Sequence, residues 1–185
     1  MPMTADTGFH ESLLSQLDLK DFPPQKRTIG TTIIGNLDEA GYLQRDISAM
    51  VDDLAFTQGV TTTVAEIEQM LKVVQSFEPA GVAARNLQEC LILQLKRTAP
   101  SPSVKLAITI LDRCFEDFSK KHYDKILKRT HSEEDDLREA INEILKLNPK
   151  PGSAFSASMS GNQYVIPDFI IENKDGVLEL TLNQR

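Results

Sequence analysis

The sequence predicts an all-α chain built as two small helical bundles, followed by a short C-terminal β-hairpin or extended segment. Three observations support this. Apolar residues recur every three or four positions in successive segments up to about residue 147, the spacing of one buried helix face. The stretch Pro100-Ser101-Pro102-Ser103 cannot continue a helix and divides these segments into two groups. After a Ser- and Gly-rich loop, the pattern changes to strict alternation around Asn173-Lys174-Asp175-Gly176, which reads as a turn between two strands. The expected units are therefore residues 1–99, 100–150 and 151–185.

In chain order, Leu13, Leu14 and Leu17 have helical spacing. Pro23 and Pro24 suit the entry of a second helix, reaching about Leu37, with Ile29, Ile33, Ile34 and Leu37 as its apolar stripe. Asp38-Glu39-Ala40-Gly41 is a turn that returns Tyr42 and Leu43 to the core, with the Tyr42 hydroxyl at the surface. A short helix from about Ile47 to Phe56 uses Met50, Val51 and Leu54. Thr63 and Glu66 then form a capping box that opens a helix with Ile67, Leu71 and Val74 inward. Pro79 stops the chain there, Gly81 can take a positive φ, and Asn86 caps a further helix whose Leu87, Leu91 and Leu95 share one side. Glu89, three residues after Asn86, can reach back toward the cap. Phe77 and Leu87 are expected in the core. Beyond Pro100 three helices are expected. The first runs from about Ser103 to Lys120 on Leu106, Ile110, Cys114 and Phe118. The second is Tyr123 to Thr130, and the third, capped by Ser132, buries Leu137, Ile141, Ile144 and Leu145. In the terminal segment, Phe169 and Ile171 alternate with Ile170 and Glu172, and Pro167 marks the outer start of the first strand.

Charge restricts the function. The net charge is −7, and residues 1–95 hold six basic against thirteen acidic groups, which favours a protein partner over nucleic acid for that part. Residues 96–150 are slightly basic, and Lys120, Lys121, Lys125, Lys128 and Arg129 crowd one short segment. In one helix Lys121, Lys125 and Arg129 would share a face, either solvated or turned to DNA phosphates or an acidic protein patch. No apolar run of about 18 residues spans a bilayer, and no secretory segment stands near Met1. Cys90 and Cys114, in leucine-rich surroundings, read as buried reduced thiols.

Nothing in the pattern of ionisable residues points to catalysis. His10, His122 and His131 are scattered without partners at ligand spacing, so no metal or cofactor is expected. Ala80-Gly81-Val82 precedes a helix N-terminus but lacks the repeated glycines and the strand of a phosphate loop, and reads as a packing corner. Asp52-Asp53 reads as a solvated helix face. For Arg85 two readings stand: its guanidinium ties the Pro79 loop down through backbone carbonyls, or it projects toward an acidic site on a partner.

The run Phe77-Glu78-Pro79-Ala80-Gly81-Val82-Ala83-Ala84-Arg85-Asn86-Leu87-Gln88-Glu89-Cys90-Leu91 resembles the core-binding region of the sigma-54 family of bacterial transcription factors. Leu37-Asp38-Glu39-Ala40-Gly41-Tyr42-Leu43 upstream, and Leu147-Asn148-Pro149-Lys150-Pro151-Gly152 followed by Tyr164-Val165-Ile166-Pro167-Asp168-Phe169 downstream, resemble further blocks of that region in the same order. Glu78 stands where the family commonly has Asp, and Ala83 where it often has Gly, which makes this loop slightly less free. The resemblance implies a cytoplasmic module, nucleoid-associated through polymerase, that holds a sigma factor on the β and β′ subunits of core RNA polymerase. It also implies a complex kept closed until an activator ATPase remodels it. Contact with polymerase is expected at Glu78, Arg85 and Gln88, and contact with phosphate or an acidic patch at Lys121, Lys125, Lys128 and Arg129. Family segments that engage the activator and read promoter DNA have no counterpart in these residues, so the sequence reads as a piece of a longer protein. The alternatives are a helical nucleic-acid-binding domain that uses the Lys120 to Arg129 cluster, and a helical enzyme with a polar pocket for a small molecule.

Overall fold

A computed structural model describes the backbone of residues 5–153, 169–174 and 177–182, and the side chains of residues 8–153. Among the described residues the chain is mostly helical. The helices are α1 (Ala5–Asp18), α2 (Pro24–Gly35), α3 (Ile47–Gln58), α4 (Val64–Val74), α5 (Leu87–Leu95), α6 (Pro102–Arg113), α7 (Phe115–Ser119), α8 (Tyr123–Thr130) and α9 (Glu134–Leu145). Two extended segments, β1 (Phe169–Lys174) and β2 (Val177–Leu182), pair antiparallel, Phe169 opposite Leu182 and Lys174 opposite Val177. The Ser- and Gly-rich loop, the stretch Tyr164 to Asp168 with Pro167, and turn positions Asp175 and Gly176 lie outside the described residues.

The predicted stripes build the first core. Leu13 and Leu17 of α1, Ile29, Ile33 and Ile34 of α2, Met50 and Leu54 of α3, and Ile67, Leu71 and Val74 of α4 are buried together with Phe77. Each large aliphatic side chain so removed from water contributes about 1.5–3 kcal/mol before entropy is counted. The ends are set locally. Asp46 accepts from the Ser48 amide at 2.7 Å and caps α3, and Gly59 closes that helix at φ 63°. Thr63 and Glu66 form the expected capping box on α4.

A second cluster gathers Leu91 and Leu95 of α5 with Val104, Ile110 and Leu111 of α6, Ile126 of α8, and Leu137 and Ile144 of α9. The two apolar clusters thus divide between Ala83 and Leu91 and not at Pro100, because α5 packs on α6. Pro100 to Pro102 only turns the chain between two helices of that cluster, with Ser101 accepting from the Val104 amide at 3.1 Å as the cap of α6.

Four local expectations need correction. The helix expected from Ser103 to Lys120 breaks at Cys114 (φ −126°, ψ 21°), whose buried side chain turns the chain so that α7 and α8 fold back on α6. Ser132 does not cap α9: it hydrogen-bonds Thr130 Oγ1 at 2.7 Å, and Glu133 holds the cap position without a side-chain bond. Leu87 is 42% exposed because, as the first residue of α5, it leans back past the edge of the core. Leu145, the last residue of α9, is 72% exposed, since the face there is completed by Ile144 and the partly buried Leu147.

The sharpest steric constraint is at Gly152, where a Cβ would fall 2.4 Å from the Glu39 carbonyl oxygen and 3.0 Å from the Gly41 nitrogen. Gly152→Ala is expected to lower stability in urea denaturation by about 2 kcal/mol or more, since backbone atoms on both sides must move. Gly35→Ala, which meets nothing within 4 Å at the end of α2, should instead raise stability by about 0.5–1 kcal/mol.

Candidate docking site

The first block, the corner and residues 147–152 of the third block, far apart in the chain, meet at one joint. The first folds on itself: Asp38 accepts from the amides of Gly41 (through its carbonyl, 2.9 Å) and Tyr42 (through Oδ1, 2.8 Å), with Gly41 at φ 90°. The Gly41 carbonyl accepts from Ala83 N at 2.8 Å, and Leu43 N donates to the Ala84 carbonyl at 2.9 Å, which joins the first block to the corner. The third block closes over both. Gly152 N donates to the Ala40 carbonyl at 3.0 Å, and the Tyr42 hydroxyl donates to the Pro149 carbonyl at 2.6 Å. That hydroxyl is therefore committed to the joint and not simply left at the surface. Burial, with the nearby Cys90 and Asp38, pushes Tyr42 above the usual tyrosine range.

Gln94, which the sequence reading did not single out, fastens the third block to α5. Its Oε1 accepts from Asn148 N at 2.9 Å, and its Nε2 donates to the Asn148 carbonyl at 2.6 Å. Gly81 (φ 90°) leaves room for this arrangement: a Cβ there would stand 2.8 Å from both Cys90 Sγ and Gln94 Nε2. The thiols are buried as expected, and burial raises Cys90 above the ordinary thiol range. The corner amides are used internally, Val82 N by the Pro79 carbonyl and Ala83 N by Gly41, which fits a packing corner and not a phosphate cradle.

The predicted contact residues are placed as follows. Arg85 does not tie down the Pro79 loop. It forms a two-pronged pair with Glu89, Nε to Oε2 and Nη2 to Oε1, both at 3.0 Å, and its side chain stays 52% exposed. The residue that ties the loop is Arg97, which donates to the Gln75 carbonyl (3.1 Å), the Phe77 carbonyl (2.9 Å) and Glu78 Oε1 (2.8 Å). Its position at the end of α5, beyond the motif, gave no local signal of that role. Asn86 caps α5 through the Glu89 amide at 2.8 Å, but the Glu89 carboxylate reaches the Arg85 amide (2.7 Å), one residue before the cap. Burial pushes Glu89 up. The Arg85 guanidinium and amide and the Gln75 carboxamide outweigh that and hold its carboxyl below the usual range. Gln88 turns to the C-terminal end of α6 and donates to the Leu111 carbonyl at 2.7 Å. Arg85 and Gln88 line one groove of about 790 Å3 between α4 and α5, whereas Glu78 stays outside it and touches it only through Arg97.

The basic segment does not form the single face expected. Lys121 sits at φ 57° in the turn between α7 and α8, so only Lys125 and Arg129 keep their helical relation. Arg129 is held by Asp117 at 3.0 Å, and Lys120 lies 4.0 Å from Glu116. Among the described residues no His, Cys, Asp and Glu cluster suits a metal ion, and no helix is long and apolar enough to cross a membrane.

Two apolar clusters joined through a hydrogen-bonded corner, with polar grooves on the outside, define a helical scaffold. The sequence matches the family described as sigma-54 factor, core binding domain, over residues 2–185, and the chain belongs to that family. It is 34% identical over 186 residues to the RNA polymerase sigma-54 factor of Shewanella violacea, covering 99% of this chain and 37% of that protein. It is 35% identical to that of Vibrio anguillarum (92% of this chain, 34% of that protein) and 30% identical to that of Escherichia coli K12 (92% and 35%). The chain spans about a third of the length of these relatives.

Arg97→Ala should cost about 2 kcal/mol, because it leaves the part-buried Gln75 and Phe77 carbonyls without their donor, whereas Arg85→Ala should cost under about 1 kcal/mol. Chemical denaturation of both variants tests the order. Glu89 has a folded-state pKa below its unfolded value. Its stabilisation is therefore complete above the unfolded carboxylate range and lost as pH falls through the folded value. Below about pH 5 the acid limb of stability against pH should be shallower in Glu89→Gln than in the parent, and equal slopes would contradict this origin.

Proposed function

We propose that this chain docks a sigma-54-type factor on core RNA polymerase, against the β and β′ subunits. In the longer protein it would help hold the initiation complex closed until an activator ATPase remodels it at promoter DNA. The observation that carries this reading is the convergence of the first block, the corner and residues 147–152 on one joint, within a family match that covers nearly the whole chain. A joint with its polar groups satisfied internally keeps the outward faces in fixed relation, so little ordering entropy is spent on binding. The proposed architecture is two helical units meeting at the corner, with a terminal hairpin that leads toward the DNA-reading part of the full factor. On this reading the module works in the cytoplasm, with polymerase on the nucleoid, and performs no chemistry of its own.

Core polymerase immobilised through another subunit should retain the purified chain at modest salt. Absence of retention would overturn the reading. Lys125→Glu with Lys128→Glu should leave that retention within about twofold, while any weak DNA binding by the chain should fall.

A further inference from the structure

The groove between α4 and α5 gathers positive charge in a part of the chain that is otherwise acidic. Its lining holds Lys72, Arg85, Lys96 and Arg97 with Glu89, while Glu78 pairs with Arg97 from outside it and Glu68 lies near enough to act on Arg85. Arg85 is engaged by Glu89 and Arg97 by Glu78. Lys72 and Lys96 are exposed, and among the described residues neither has an ion pair or a side-chain hydrogen bond. Lys72 lies in the last turn of α4 and Lys96 caps the C-terminus of α5, where a cation offsets the helix dipole. That role accounts for each lysine singly. It does not account for both lining one groove with the partly buried Ile92 and Leu93.

We propose that this groove receives an acidic segment of the protein partner in which Asp or Glu residues are interspersed with aliphatic ones. The carboxylates meet Lys72 and Lys96, and the aliphatic side chains cover Ile92 and Leu93. Charge complementarity selects this occupant over a basic or neutral peptide. Single-stranded nucleic acid fits less well: the lining offers no aromatic ring on which a base could stack, and Glu89 would face its phosphates. The inference rests on the docking reading above and names the partner's chemistry at one face.

The test is fluorescence anisotropy of a short labelled peptide of alternating Glu and Leu, titrated with the chain at low salt. The expected result is binding that weakens as salt rises, falls about tenfold or more in Lys72→Glu with Lys96→Glu, and is unchanged in Lys125→Glu with Lys128→Glu. The neutral pair Lys72→Gln with Lys96→Gln, which removes the charge without reversing it, should show an intermediate loss, and a peptide with Ser in place of Leu should bind more weakly. Equal affinity in the parent and the Lys72/Lys96 variants overturns the proposal, as does an oligothymidylate that displaces the peptide and binds more tightly. Core polymerase separates this inference from the reading beneath it. If polymerase ignores the parent chain while the peptide behaves as expected, the docking reading fails and the groove chemistry stands. If polymerase retains the parent and the Lys72/Lys96 variants equally, the groove is not the docking face and the inference fails.

Discussion

The side-chain carboxamide of Gln94 is the interaction on which the joint depends. It is buried, and a buried amide left without partners costs about 1–3 kcal/mol, more than a typical hydrogen bond returns when made. Both its oxygen and its nitrogen are satisfied by the backbone of Asn148, 54 residues downstream. The chain after α9 must therefore come back across α5. Once it has done so, the Pro149 carbonyl reaches the Tyr42 hydroxyl, and Gly152 reaches a place that only a residue without a side chain can occupy. The contacts of residues 149–152 with the first block follow from that one crossing, while the first block meets the corner through its own backbone bonds at Gly41 and Leu43.

Because the joint is made of backbone atoms and short hydrogen bonds, it transmits position more than it stores stability. The two apolar clusters supply most of the folding energy, and the joint decides how the surface between them is presented. Arg97 contributes in the same way. Its guanidinium satisfies two carbonyls freed where α4 ends and pairs with Glu78, so the outward face of the corner is set by a residue just past the end of the next helix. A docking surface organised like this should lose partner affinity through substitutions that leave the cores intact.

Much of the helical pattern was legible because period and capping are local. The capping box at Thr63 and Glu66 and the Asn86 cap stand where the sequence put them, and so do the stripes of Ile29, Ile33 and Ile34 and of Ile67, Leu71 and Val74. What escaped the sequence depends on tertiary partners. Cys114 has helical spacing with Ile110, yet the chain breaks there so that α7 and α8 can fold back on α6. Lys121 fits an i, i+4 pattern with Lys125 and Arg129, but an intervening turn takes it off that face. Of the predicted contact residues, Arg85 and Gln88 do share a groove, but each is also committed within the chain, to Glu89 and to the end of α6. The role of Gln94 was invisible because its partner is set by the crossing of the chain and not by any local motif.

The corner also shows how neighbours impose a backbone conformation. Ala83 adopts φ 58°, a left-handed conformation that costs an L-residue roughly 1–2 kcal/mol. Its methyl group is fully buried in the first core, which returns about 0.8 kcal/mol. The burial offsets only part of that cost. The backbone is in any case dictated from outside: Ala83 N donates to the Gly41 carbonyl, and its own carbonyl accepts from Gln75 Nε2 at 3.1 Å. The left-handed turn is thus imposed by its neighbours, and the residue there needs only to be small enough to accept it. Gly81 is under a stricter rule, because its missing Cβ makes room for Cys90 and for the Gln94 amide that anchors the crossing chain. Adding a methyl at Gly81 should therefore disturb the joint more than removing the one at Ala83.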